Sequence, residues 1–329
     1  MIYAGNCLDI LPTLASESVH TCVTSPPYFG LRNYDHPDQI GLEPTPGEFV
    51  DALVAVFRQV RRVLRDDGTV WVNLGDSYAG SWGAQSRGNS TGEAKSRLQG
   101  SSMLEARRIG AYPLGRNLSG SLKNTPGLKR KDLIGIPWRV AFALQEDGWF
   151  LRQDIIWSKP NPMPESVRDR CTKSHEYVFL LSKSRRYHFD AAAIAEPFAN
   201  ASVVRLAQNV AGQAGSERVP GKTNGPMKAV SDGEARNKRS VWTIPTTPSR
   251  EAHFATFPEG LVQPCILAGC PSGGVVLDPF LGSGTTAVAA ERLGRRWIGC
   301  ELNPEYVEMA ERRVRNTPPG LIFNAGGWA

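Results

Sequence analysis

The stretch TSPPY, Thr24 to Tyr28, sets a hydroxyl, two prolines and a phenol in a row directly after the apolar run VHTCV. Proline fixes φ and lacks an N–H, so Pro26 and Pro27 stop a central strand and stiffen the turn that follows. Carbonyls in such a turn have few local N–H partners and are left to accept from a ligand. A second stretch, VVLDPFLGSGTT, runs an apolar strand into Asp278, then Gly282-Ser283-Gly284, then a helix. Glycines at a strand-to-helix turn admit a ligand close to the backbone, where the helix N-terminus offers free N–H groups. Glu301 stands at the tip of the next strand, seventeen residues past Gly284. A carboxylate there accepts hydrogen bonds from both ribose hydroxyls of a nucleoside. The turn is not a P-loop, because Thr285 and Thr286 follow Gly284 where Gly-Lys-Ser/Thr is required, and Ala287 leaves the dinucleotide fingerprint incomplete. A nucleoside ligand is expected, and a nucleoside triphosphatase is not.

The elements that must position these residues are readable from periodicity. IYAGNCLDIL and HTCVTS read as short strands, with Asp9 at the end of the first. Phe49 to Leu64 reads as a helix, with Phe49, Leu53, Val56, Phe57, Val60 and Leu64 on one face; it ends at the Asp67-Gly68 turn before the strand TVWVNL. A helix around Pro137 to Glu146 precedes the strand-like runs WFLRQDIIW and EYVFLLS. The third block is a βαβ unit (GGVVLDPF, TTAVAAERLG, RRWIGCEL) followed by a helix capped by Asn303, with Pro304 in its first turn. Alternation of this kind predicts a single α/β domain with a mostly parallel sheet, both motifs at the carboxyl ends of adjacent strands.

The chain has 329 residues, 41% of them hydrophobic, enough for a large core. No run of about 18 apolar residues and no basic leader is visible, so neither a membrane span nor a secretion signal is expected and the cytoplasm is the default. Six scattered cysteines without CxxC spacing predict neither a disulfide framework nor a metal site. The formal charge of +6 is unevenly spread. Residues 79–132 hold ten basic and three acidic side chains, and residues 191–239 hold seven and four, so the rest of the chain is net acidic. Both segments are rich in Gly, Ser, Asn and Gln. They read as solvated loops or as a surface that grips phosphate backbone.

Together, TSPPY and DPFLGSGTT resemble the amino-methylating DNA methyltransferases. In that family a (Ser/Asp/Asn)-Pro-Pro-(Tyr/Phe/Trp) motif carries catalysis, and a strand-turn-helix with an acidic residue and glycines binds S-adenosylmethionine. The catalytic motif comes first here, which is similar to the class called beta. HFATFPEGL, WSKPNPMPES and HEYVFLLSKS resemble further segments of the family, so that the likeness covers roughly residues 1–78, 133–190 and 240–312.

The resemblance implies a Rossmann-like S-adenosylmethionine-dependent methyltransferase fold with a mostly parallel seven-stranded sheet and variable insertions. The catalytic half would span 1–78, a basic DNA-contacting insertion 79–132, the continuing sheet 133–190, a variable basic segment suited to target recognition 191–239, and the cofactor half 240–329. Ser25, Pro26, Pro27 and Tyr28 would be catalytic. Asp278, Pro279, Phe280, Gly282, Gly284, Thr285, Thr286, Glu301 and Asn303 would bind the cofactor, Asp278 near its cationic end and Glu301 on its ribose. Asp9 resembles the residue that contacts the adenine, although GNCLDIL reads equally as a strand and a capped helix start; Phe254 and Phe257 would line the pocket or belong to the core. Arg107, Arg108, Lys129, Arg130 and Lys131 would contact double-stranded DNA. No metal is implied, and there is room for a cognate restriction endonuclease and for a homodimer.

An exocyclic amine has its lone pair delocalised into the base until acceptors hold its N–H groups. Ser25 Oγ and the Pro26 carbonyl are suitable acceptors, and Tyr28 offers a ring face on which a flipped base stacks. Transfer is then a direct displacement that needs alignment rather than a metal or covalent nucleophile. Serine at the first motif position is typical of the cytosine-N4 enzymes, and aspartate or asparagine of the adenine-N6 enzymes, so the resemblance tilts toward cytosine. The rival readings are an RNA or protein-amide methyltransferase, a DNA-binding protein without catalysis, and a nicotinamide-dependent dehydrogenase.

Overall fold

The computed structural model describes residues 1–30, 36, 38–79, 127–198, 235–246 and 257–318. One sheet of eight strands, ordered β1-β10-β9-β2-β3-β5-β4-β8, forms the middle layer. The strands are β1 (Ile2–Ala4), β2 (Val19–Thr24), β3 (Leu64–Leu74), β4 (Phe150–Ser158), β5 (His175–Ser182), β8 (Val241–Thr243), β9 (Val275–Asp278) and β10 (Arg296–Glu301); β6 (Glu196–Pro197) and β7 (Ala235–Arg236) form a separate antiparallel pair. All pairings in the large sheet are parallel except β3 with β5 and β5 with β4. The sheet thus has one strand more than the seven expected: β8 adds a short edge strand beside β4.

Helices cover both faces, as a parallel sheet requires. On one face α2 (Pro46–Val63) and α3 (Ile136–Glu146) bury Phe49, Leu53, Phe57, Val60, Val140 and Leu144 against Val70, Val72 and Leu74 of β3. On the other, α4 (Glu259–Gly269) and α5 (Thr285–Arg292) cover Val23, Trp71 and Val276. The last helix, α6 (Pro304–Arg315), packs Ala310 and Val314 near Ile2.

Two local expectations are corrected. IYAGNCLDIL is not one strand: β1 stops at Ala4, and α1 (Cys7–Ile10) begins after Asn6, whose side chain accepts from Leu8 N, so Asp9 lies in a helical turn. The second helix ends earlier than Asp67-Gly68, because Leu64 already pairs with Val19 as the first residue of β3. The register shift between Val19 and Thr21 absorbs the Asp66-Asp67-Gly68 stretch as a bulge within the strand. A Cβ on Gly68 would lie 2.8 Å from Leu64 Cδ2 and 3.1 Å from His20 O, which is why this place takes glycine.

The described residues at the two ends of each basic segment pair with one another in a neck. Tyr78 bridges Leu133, while Ala79 N donates to Asp132 O and Lys131 N to Ala79 O, each at 2.8 Å. Behind this neck the Asp76 carboxylate accepts from Gly135 N at 3.0 Å and Ile136 N at 3.1 Å, capping α3, whose own Gly135 has no side chain to do so. The β6–β7 pair closes the second segment, with Glu196 paired to Arg236, Lys238 and Arg239.

Candidate active site

β2, β9 and β10 are neighbours and parallel, so Ser25, Pro279 and Leu302 all follow strand ends on one edge of the sheet. The two motifs are tied together at that edge. Thr24 Oγ1 donates to Asp278 Oδ1 at 2.6 Å, and Thr286 Oγ1 donates to Asp278 Oδ2 at 2.6 Å. Phe280 N adds a third bond at 3.1 Å. Asp278 is 1% exposed, and burial lifts its carboxyl from the ordinary value to about 6 against those three donors. The Asp278 side chain is thus engaged inside the protein, holding the turn to β2, and is not among the groups that line the adjoining cavity.

That cavity, of about 150 Å³, opens between the two motifs. Ser25 and Pro27 form part of its wall, with Pro279, Phe280, Gly282, Thr285, Glu301 and Asn303 on the other side. Pro26 is buried, Gly284 and Thr286 support the turn, and none of the three lines the cavity. Glu301 is half-buried and fixed from below: Oε2 accepts from Gly282 N at 2.7 Å and Oε1 from Asn303 N at 2.8 Å. Burial raises its carboxyl above the ordinary range, and those N–H groups oppose the rise. Asn303 also caps α6 through Glu305 N. Asp9 is exposed and stands outside the cavity; its neighbours Gly5, Asn6 and Cys7 supply that wall instead.

The chemistry of the lining fits the nucleoside cofactor that the sequence implies. Gly282 has φ +55°, and a Cβ there would meet nothing within 4 Å among the described residues, so the turn leaves its backbone bare toward a ligand. Phe257, Phe280, Ile40 and Tyr306 offer apolar and aromatic surface, while Asp38 and Glu301 bring carboxylates, and among the described residues no lysine or arginine lines the cavity. Such a wall suits a cationic nucleoside. Burial pushes the Cys7 thiol up to about 12 and that of Cys300 higher still, so both stay protonated and act as apolar wall. His36, Asp38, Gln39 and Ile40 were not foreseen; they follow TSPPYFG in a loop with no hydrophobic period to mark it.

Tyr28 stands beside the cavity, half-buried. Its hydroxyl donates to Glu176 Oε2 at 2.6 Å, and Asn73 Nδ2 donates to the same oxygen at 2.8 Å. Lys159 Nζ holds Glu176 Oε1. Burial and the Glu176 charge push the phenol well above its ordinary range, so it is a donor at any working pH. A Cβ on Gly75 would lie 2.5 Å from Tyr28 Cε2, so the ring rests on bare backbone.

Of the residues expected at DNA, Lys129, Arg130 and Lys131 are exposed at the first neck, Lys129 near Asp132 and Lys131 against Asp169. Arg107, Arg108 and Phe254 lie outside the described residues. Among the described residues no cluster of three or more His, Cys, Asp or Glu could hold a metal ion, and no helix is long and apolar enough to cross a membrane.

A family model described as DNA methylase matches residues 19–312. The type II methyltransferase M.Cfr9I of Citrobacter freundii is 43% identical over 322 residues, covering 98% of this chain and 89% of that protein. M.SmaI of Serratia marcescens, also a type II methyltransferase, is 42% identical over 313 residues, covering 95% and 90%. Among solved structures, the PvuII DNA methyltransferase (cytosine-N4-specific) superposes with a TM-score of 0.60 at 20% identity, covering 95% of this chain and 85% of that one. A putative DNA modification methylase from Thermus thermophilus, complexed with S-adenosyl-L-methionine, does so at 0.55 and 23%, covering 96% and 94%.

Proposed function

The chain belongs to the DNA methylase family, and on that premise we propose that it methylates a specific site in duplex DNA, with the N4 amine of a flipped cytosine as acceptor. The observation that carries this reading is the direct tie of Thr24 to Asp278, which sets Ser25 and the Glu301 cavity side by side. S-adenosylmethionine, the methyl donor of the family, supplies an electrophilic sulfonium methyl when bound. Glu301 has lone pairs left over to accept from its ribose hydroxyls, and Gly282 exposes backbone beside them. Ser25 Oγ and the Pro26 carbonyl accept the N–H groups of the target amine, which frees its lone pair, and Tyr28 stacks on the base. Extrusion of the base costs a few kcal/mol, which those bonds and the stacking offset. The choice of cytosine over adenine rests on Ser25 in the first motif position. A restriction endonuclease of matching specificity completes the proposal, since the relatives quoted are type II methyltransferases.

The test is incubation with mixed-sequence duplex DNA and isotopically labelled S-adenosylmethionine, digestion to nucleosides and mass spectrometry. Labelled N4-methylcytosine is the expected product. N6-methyladenine would keep the mechanism and overturn the reading of Ser25, whereas no label in DNA would redirect the search to RNA or protein.

A further inference from the structure

Stacking alone does not account for the surroundings of Tyr28. A phenylalanine would present the same ring face, yet the hydroxyl is held by a carboxylate that is itself fully engaged. Glu176 Oε2 accepts from Tyr28 Oη at 2.6 Å and from Asn73 Nδ2 at 2.8 Å, Asn73 Nδ2 also lies 3.3 Å from Tyr28 Oη, and Lys159 Nζ takes the other oxygen. Glu176 is 13% and Lys159 18% exposed, and the ammonium sits 4.2 Å from the centre of the Trp157 ring. The Cδ2–Cε2–Cζ edge of the ring, beside the hydroxyl, is seated on Gly75. Two features of the sheet bring this about. β5 runs antiparallel to β3, so its first residues return to the edge where β2 ends, and β4 pairs with β5 with Trp157 opposite Glu176, which carries Lys159 to the same place.

We propose that Glu176 is a positioning residue for methyl transfer: through Lys159 and Asn73 it locks the Tyr28 ring at a set angle before the base arrives. The proposal rests on the DNA-methylation reading and deepens it, because the antiparallel half of the sheet then serves the base as the parallel half serves the cofactor. A pre-ordered ring spares the binding step the ordering of that side chain.

The test compares Tyr28→Phe, Glu176→Leu, the two combined, and the charge-neutral pair Glu176→Gln with Lys159→Met, which keeps an acceptor for the phenol. The readouts are kcat and KM for DNA, the fluorescence of 2-aminopurine beside the target base, and affinity for S-adenosylhomocysteine. Tyr28→Phe and Glu176→Leu are each expected to lower kcat/KM about tenfold, the scale of one hydrogen bond to a charged group. Both should weaken the extruded-base signal and leave S-adenosylhomocysteine binding unchanged, and the double variant should be no worse than either single one. The neutral pair should recover most of the loss, and it keeps the test decisive where Glu176→Leu folds poorly. A fully active Tyr28→Phe, additive losses, or a shifted pH profile in the neutral pair with Tyr28→Phe unaffected would overturn the positioning role. Wild-type protein that labels no DNA would instead overturn the functional reading beneath it.

Discussion

At the scale of single residues, division of labour within the site is the feature most open to experiment. Tyr28→Ala removes the ring next to Ser25 while leaving Glu301 and the Gly282 turn untouched. It should abolish methylation and keep S-adenosylhomocysteine affinity within about threefold, as read by calorimetry. Parallel loss of both would contradict separate half-sites. Asp278 makes a prediction about pH. Its native pKa of about 6 lies above the ordinary carboxyl value of 3.8, so the native state keeps a proton that the unfolded chain releases. Stability from this group is therefore present below about pH 4 and is lost as pH rises to about 6, by roughly 3 kcal/mol. Against Asp278→Asn, which has no such proton, wild-type melting temperature should fall across that window and run parallel above it. A constant difference from pH 4 to 7 would mean that the carboxyl ionises as freely in the fold as outside it.

At the scale of elements, α5 and α6 meet where Gly284 carries φ +84° and a Cβ would stand 2.9 Å from that of Ala310. Gly284→Ala should lower stability by about 1–3 kcal/mol through strain and the clash together, measured by denaturant unfolding, and lower cofactor affinity with it. An unchanged midpoint would show that the two helices part without cost. How legible these elements were depended on the range of the forces that make them. The helices on both faces could be read because period and caps are local: Asn303 opens α6, as expected, and the extra turn of α2 is written in Thr45 and Glu48, which form a capping box ahead of Phe49. The start of β3 could not be read, since Asp66-Asp67-Gly68 has the chemistry of a turn and only pairing with β2 makes it strand. The bond that draws Asp278 inward could not be read either, because its partner Thr24 is 254 residues away. The partnership of Tyr28 with Glu176 was hidden for the same reason, the two standing 148 positions apart.

At the scale of the whole molecule, the described residues that flank each basic segment meet in a neck, Ala79 with Asp132 and Glu196 with Arg236. Ala79 is bonded to both Lys131 and Asp132, so replacing residues 80–126 with a short Gly/Ser linker should keep the melting temperature and S-adenosylhomocysteine binding while DNA affinity falls and its salt dependence flattens. Collapse of the fold would instead make the segment part of the core. The first neck rises from the end of β3, on the same edge as Ser25, whereas the second is a separate two-stranded pair outside the large sheet. Charge reversal at Lys129, Arg130 and Lys131 should therefore weaken DNA binding in a salt-dependent way, as read by anisotropy titration.

The bond from Thr24 to Asp278 has a mechanical side as well. Two loops that must meet within a fraction of an ångström for an in-line displacement spring from points one peptide away from a shared joint. Positional error in a loop grows with distance from its anchor, much as play at the tip of a lever grows with its arm. Here both arms start at one buried carboxylate, so thermal motion of either strand moves the two tips together, and the gap across which a methyl group would travel is gauged by the protein before either molecule has entered.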